Sequence, residues 1–154
     1  MIAKKIAELL KEREFISVAT CDFNGRPNAA PKFILKIEDN LIFLVDYTIG
    51  NTWENLRVNP KASLSFMDTD TLHGYQINGL AEVMESGTEY EKLIKEVLQR
   101  QVDLSTKRII EGVTKGKVHE NFELAIPKKF VVFKIKIEEC VEIGTSGGLK
   151  REKL

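Results

Sequence analysis

The run FISVATC, residues 15–21, passes directly into DFNGRP, and this junction constrains the chain more than any other feature. Asn and Gly both accept positive φ, so Asn24-Gly25 between two β-forming runs predicts a hairpin and two antiparallel strands. The second strand, about Asn28 to Ile37, ends at Glu38-Asp39-Asn40, and LIFLVD begins a third at Leu41. Three strands joined by short turns predict a meander.

Beyond Asp46 the types change. Thr48, Asn51 and Thr52 are residues that start helices, Leu56 and Val58 are apolar, and Pro60 stops continuation, which predicts a short helix over about Asn51–Val58. Ala62 to Met67 reads as a strand, MDTDTLHG as a loop, and YQINGLAEVME as a strand in which Gly79 marks a bulge or a close backbone approach. Near the C-terminus, KFVVFKIKIEECVEI alternates apolar and charged residues between Phe133 and Ile137, the mark of a half-buried strand.

Helical spacing appears at Ile2, Ile6, Leu9 and Leu10, within an N-terminal helix over residues 1–13, and again from Thr88 at Tyr90, Leu93, Ile94, Val97 and Leu98. A further helix is expected from Ser105 with Ile109, Ile110 and Val113. Val113 to Lys129 has no clean period and reads as a loop, and residues 144–154 as a polar, solvated tail. Six strands without regular strand-helix-strand alternation predict an α+β fold, an antiparallel barrel flanked by helices. The chain has 154 residues, about the length of one domain, so a single domain over 1–154 is expected.

Charge narrows the function classes. The 23 basic residues balance 23 acidic ones, so no global field draws the protein to nucleic acid or an anionic bilayer, and neither partner is expected. No apolar run is long enough to span a membrane. Cys21 and Cys140 are too few for a disulfide framework, which fits a reducing compartment and predicts a cytoplasmic protein. Both read as structural thiols.

Chemistry concentrates at LVDYTIGNTWENL, where a strand, a Gly-containing turn and a helix start follow one another. Helix N-termini present unpaired N–H groups and the positive end of the dipole, so a phosphate is a natural guest there. Thr48, Asn51 and Thr52 add possible donors, while Asn51 or Thr52 as an ordinary helix cap explains the same residues. Lys32 lies in the otherwise apolar APKFILK; facing inward it needs an anionic partner, and facing outward it is a solvated residue of a half-buried strand.

The succession FISVATCDFNGRPNAAPKFIL, LIFLVDYTIGNTWENLRVNPKASLSF and QINGLAEV, followed by a helix, resembles the FMN-binding split barrel of the pyridoxamine 5′-phosphate oxidase-like proteins. The resemblance covers about Glu14 to Arg100 and implies a homodimer of six-stranded antiparallel split barrels with flanking helices, FMN lying in a groove between subunits. It places Lys32, Phe33 and Ile34 on the strand lining the flavin, Val45 and Asp46 beside the ring, Thr48, Asn51 and Thr52 toward the phosphate, and Gln76 on a strand facing the flavin.

Departures from the pattern matter too. Ala30 stands where oxidase members carry an arginine, neutral Asn51-Thr52 replaces an Arg-Lys phosphate pair, and the C-terminal Trp and Arg used for pyridoxamine phosphate are missing. The vitamin oxidase reaction is therefore not expected. What the resemblance implies is an FMN-binding flavoprotein, an oxidoreductase or flavin reductase toward a small molecule, with no side chain required as acid or base. The alternatives are the same fold holding a deazaflavin or haem, or a non-enzymatic dimer that stores or senses flavin or binds none.

Other residues carry less. His73 and His119 are far apart, and Glu120 and Glu123 beside His119 read as a solvated loop, so no metal is expected. Trp53 reads as core or as cover for a flavin edge or a dimer neighbour, Tyr47 and Tyr75 share that ambiguity, and Glu138 and Glu139 point to opposite faces of a strand.

Overall fold

The computed structural model describes residues 1–116 and 129–154. It divides into two compact units, one of Met1–Glu85 with Phe130–Leu154 and one of Ser86–Lys129.

The first unit contains α1 (Ile2–Lys11), β1 (Phe15–Cys21), β2 (Pro27–Glu38), β3 (Leu41–Asp46), α2 (Asn51–Val58), β4 (Lys61–Asp68), β5 (His73–Met84), β6 (Val131–Ile143) and β7 (Leu149–Lys153). All pairings are antiparallel in the order β3-β2-β1-β4-β5-β6-β7, and β3 also pairs with β6. That last pairing closes six strands into a barrel and leaves β7 outside it. The expected α+β six-stranded barrel and its opening meander are thus present, with one strand more.

Period-two alternation decides which side chains fill the interior. Ile16, Val18 and Thr20 of β1 are buried while Phe15, Ser17 and Ala19 face outward, and Tyr75, Ile77 and Ala81 follow the same rule on β5. Val18, Ile42, Leu44, Leu64, Ile77, Phe133 and Ile135 are wholly buried. At roughly 1.5–3 kcal/mol for each large apolar side chain removed from water, this core drives the closure.

Two turns show how local chemistry sets the path. Only Gly25 of the Asn24-Gly25 pair has positive φ, at +78°. Asp22 accounts for this: its Oδ1 accepts from Asn24 N at 2.8 Å and Arg26 N at 2.9 Å, stabilising a three-residue loop in place of the expected two-residue one. Gly79 answers to its neighbour instead. A Cβ there would lie 2.2 Å from the Lys136 carbonyl oxygen, and the β5–β6 register shifts between Asn78 and Gly79.

The tail is polar, as expected, but it is not merely solvated. Residues 149–153 pair with 139–143 of β6, and Glu152 Oε2 accepts from the backbone of Ile2 and, at 3.2 Å, of Ala3. A carboxylate from the last strand thus satisfies the open N-terminus of the first helix, whose Ile6 and Leu10 are buried in the core.

The second unit is described through α3 (Thr88–Lys115), one helix of 28 residues where two were expected. Neither Pro nor Gly lies between Val102 and Ser105, so nothing interrupts the helix, and Ser105 sits inside it. Gly116, at φ +64°, ends it. Leu93, Val97 and Leu104 are buried; Val102, Ile109, Ile110 and Val113 are exposed. Val113 to Lys115, expected as loop, is helical. The rest of that loop reading, with His119, Glu120 and Glu123, falls mostly outside the described residues. Among the described residues no helix is long and apolar enough to cross a membrane.

Candidate functional site

The end of β3 and the start of the β2–β3 pairing meet where Phe33 faces Val45 in register. One residue earlier, Lys32 lies opposite Ile16, a core residue of β1, and its side chain is only 6% exposed. Its Nζ lies 2.9 Å from Oδ1 of Asp46, which is 2% exposed. The inward reading of Lys32 is therefore the one the structure takes, and its anionic partner is a side chain of this chain.

Asp46 is unevenly satisfied. Its Oδ1 also accepts from Thr48 N at 3.1 Å and Thr48 Oγ1 at 2.8 Å, while its buried Oδ2 has no hydrogen-bond partner. A buried carboxylate oxygen without a donor carries a desolvation penalty of about 1–3 kcal/mol or more, so such atoms are uncommon unless a ligand or water completes them.

The turn that follows is strained. Ile49, a β-branched residue, sits at φ +45° with its side chain partly buried against the core. Gly50 is the N-cap of α2, and no side chain caps that helix. The capping role considered for Asn51 and Thr52 is thus not what they do. Thr52 is buried and its Oγ1 accepts from Asn28 Nδ2 at 3.2 Å, whereas Asn51 is exposed. One turn on, buried Asn55 donates from Nδ2 to Thr20 Oγ1 at 3.1 Å. A groove of about 420 Å³ runs between the β1–β2 hairpin and α2, lined among others by Asp22, Arg26, Asn28, Asn51, Glu54 and Asn55.

An aromatic row runs on the opposite face of the sheet from the ion pair, since Phe33 pairs with outward-facing Phe15 whereas Lys32 pairs with buried Ile16. Ring centroids are 5.9 Å apart for Phe15 and Phe33, 6.3 Å for Phe33 and Tyr47, and 6.1 Å for Tyr47 and Phe130. Sequence reasoning singled out Phe33 and left Tyr47 ambiguous, but missed Phe15 and Phe130. No local pattern links four residues that come from separate segments.

The remaining candidates lie apart. Ile34 packs in the barrel core and Val45 is buried. Gln76 is on β5, separated from Lys32 by β1 and β4 in one direction and by β6 and β3 in the other. Its Nε2 donates to Ser63 Oγ at 3.0 Å and Asn78 Oδ1 at 3.2 Å, and Asn78 in turn donates to Glu139 at 2.8 Å. That bond, with Arg151 beyond it, holds the Glu139 carboxyl below its usual range. Trp53 is partly buried against the core, its Nε1 2.6 Å from Glu85 and its ring 4.5 Å beneath the Arg57 guanidinium. Both cysteines are free, and burial pushes the Cys140 thiol up to about 11, which makes it inert as a nucleophile. Among the described residues no group of His, Cys, Asp or Glu is arranged to hold a metal ion.

A closed six-stranded antiparallel barrel with flanking helices and a strand-turn-helix at its polar edge defines a split-barrel protein. The family model for pyridoxamine 5′-phosphate oxidase matches residues 2–143, and the chain belongs to that family. No curated protein sequence matches it. Among solved structures, it is similar to HupZ of Group A Streptococcus, with TM-score 0.62 and 25% identity over 94% of this chain and 96% of that one. A pyridoxamine 5′-phosphate oxidase-related, FMN-binding protein of Nostoc punctiforme shares the fold at TM-score 0.62 and 12% identity, covering 98% of this chain and 95% of that one. So does a heme-binding protein of Mycobacterium smegmatis, at TM-score 0.63 and 16% identity, covering 99% of this chain and 58% of that one.

Proposed function

We propose that this chain is a flavin-binding oxidoreductase acting on a small molecule; FMN is the flavin that the family resemblance implies, and the form of the flavin's tail is a separate question from the binding of its ring. The observation that carries this reading is the buried Asp46 oxygen without a donor, next to a lysine with further N–H groups to offer. A flavin ring edge carries an N–H donor between carbonyl acceptors, the complement of that pair. The pair therefore fits the ring edge. When bound, the flavin supplies the hydride or electron chemistry, and the chain orients it and excludes water.

A homodimer belongs to this proposal. Ser17, Ala19, Ala29, Pro31 and Ser65 face outward from three adjacent strands, exposed and without a charge among them. A sheet face that meets water normally carries charged and long polar side chains, whereas small uncharged ones suit the close approach of a second sheet. Gln76, paired with Ser65, borders this face. A cytoplasmic setting fits the two free cysteines.

The test is the visible spectrum of the purified chain, followed by flavin titration of wild type and Asp46→Asn. A retained or restored flavin spectrum with affinity at least tenfold weaker in the variant is the expected result; a folded variant with unchanged affinity overturns the role of Asp46. A second reading, a deazaflavin or haem in the same barrel, is favoured by the neutralised Lys32 and the neutral Asn51-Thr52, and the corresponding chromophore distinguishes it. A flavin that no nicotinamide donor reduces would leave a non-enzymatic flavin-binding dimer.

A further inference from the structure

The groove between the β1–β2 hairpin and α2 carries chemistry that the family resemblance does not supply. Its charged lining is one cation, Arg26, against two anions, Asp22 and Glu54. Lys32 contributes nothing to this balance, because its charge is matched by Asp46 at 2.9 Å. A phosphate dianion entering here would meet net negative charge, and the positive end of α2 already has Glu54 in its first turn.

The hydrogen-bond inventory points the same way. Asn55 is 8% exposed and uses its Nδ2 on Thr20 Oγ1, while Asn28 uses its Nδ2 on Thr52 Oγ1. Among the described residues the Oδ1 of each accepts no hydrogen bond, so both line the groove as acceptors awaiting a donor. Two carboxylates add further acceptors. A fully ionised phosphate can only accept, and it satisfies none of them; a hydroxyl donates and satisfies each.

We propose that this groove is a polyol site, and that, on the flavin reading above, it takes the uncharged ribityl chain of an unphosphorylated flavin in preference to a phosphorylated tail. Asn28 and Asn55 accept from the chain's hydroxyls, and Asp22 and Glu54 repel a terminal phosphate. The absent arginine and lysine at positions 51 and 52 are then a specificity feature, not a weakened phosphate site.

Fluorescence titration of the full chain with riboflavin and with FMN, at one fixed ionic strength, tests this. Riboflavin is expected to bind at least as tightly as FMN. Asn51→Arg, at an exposed position where folding is not at risk, is expected to shift the preference toward FMN at least tenfold, and Glu54→Gln to shift it the same way by a smaller factor. Wild type binding FMN more than tenfold tighter than riboflavin overturns the polyol assignment and leaves the flavin reading intact, as does a preference that neither variant moves. Binding of neither flavin overturns the flavin reading and this inference together.

Discussion

At one end of β6, Val131 pairs with Asp46, whose Oδ1 takes three donors while its Oδ2 takes none. At the other end Glu142 has Lys5 at 2.8 Å on one oxygen and Lys150 at 3.7 Å on the other, and Glu152 nearby on β7 closes the N-terminus of α1. Both regions remove carboxylates from water, yet only one completes their bonding. The satisfied end joins the first helix to the last strand and is explained by stability alone. The incomplete end adjoins a residue at strained φ and a helix without a side-chain cap, features that cost stability.

Lys32→Met should give the largest effect, because it leaves Asp46 buried without its counter-ion. A loss of about 3–5 kcal/mol is expected by urea denaturation. The double variant Lys32→Met with Asp46→Leu should recover most of that loss and still bind no flavin, separating the pair's structural cost from its use. If the single variant were as stable as wild type, the contrast between the two ends would collapse.

Glu152→Ala, at the satisfied end, should cost about 0.5–2 kcal/mol, the usual worth of a helix N-cap, and leave flavin affinity unchanged. A loss of flavin binding there would mean that the two ends are coupled. The smallest effect concerns pH. The Lys5 hydrogen bond holds the Glu142 carboxyl below its ordinary value of 4.5, so its contribution is full above that pH and fades as pH falls through the lower folded-state value. Glu142→Gln should therefore flatten part of the acid limb of stability below about pH 4.5. The same bond raises the Lys5 ammonium, whose contribution is present below the usual lysine range and lost as pH climbs through its raised value. An acid limb identical in the variant would show that Glu142 is not the clasp described.

Much of the barrel was legible because its signals are local. The meander, the helix Asn51–Val58 and the close approach at Gly79 follow from alternation, turn residues and Pro60, all read within a few residues of one another. The hairpin at residues 22–26 was legible as a turn but not in its geometry, since the Asp22 side chain outweighed the Asn-Gly preference. β7 escaped because LKREK carries no apolar alternation, and its pairing to β6 comes from backbone hydrogen bonds that any sequence can make.

What the sequence by itself determined is the set of elements and the neutral character of residues 51 and 52, because strand period, turn chemistry and side-chain charge are properties of near neighbours. What only the tertiary structure decided is which polar groups meet: Lys32 with Asp46 across the β2–β3 hairpin, Glu152 with the first residues of the chain, and Asn28 with Thr52. Those encounters depend on register and on β3 closing against β6. A shift of one residue in either would turn Lys32 or Asp46 to the opposite face and leave the other buried alone.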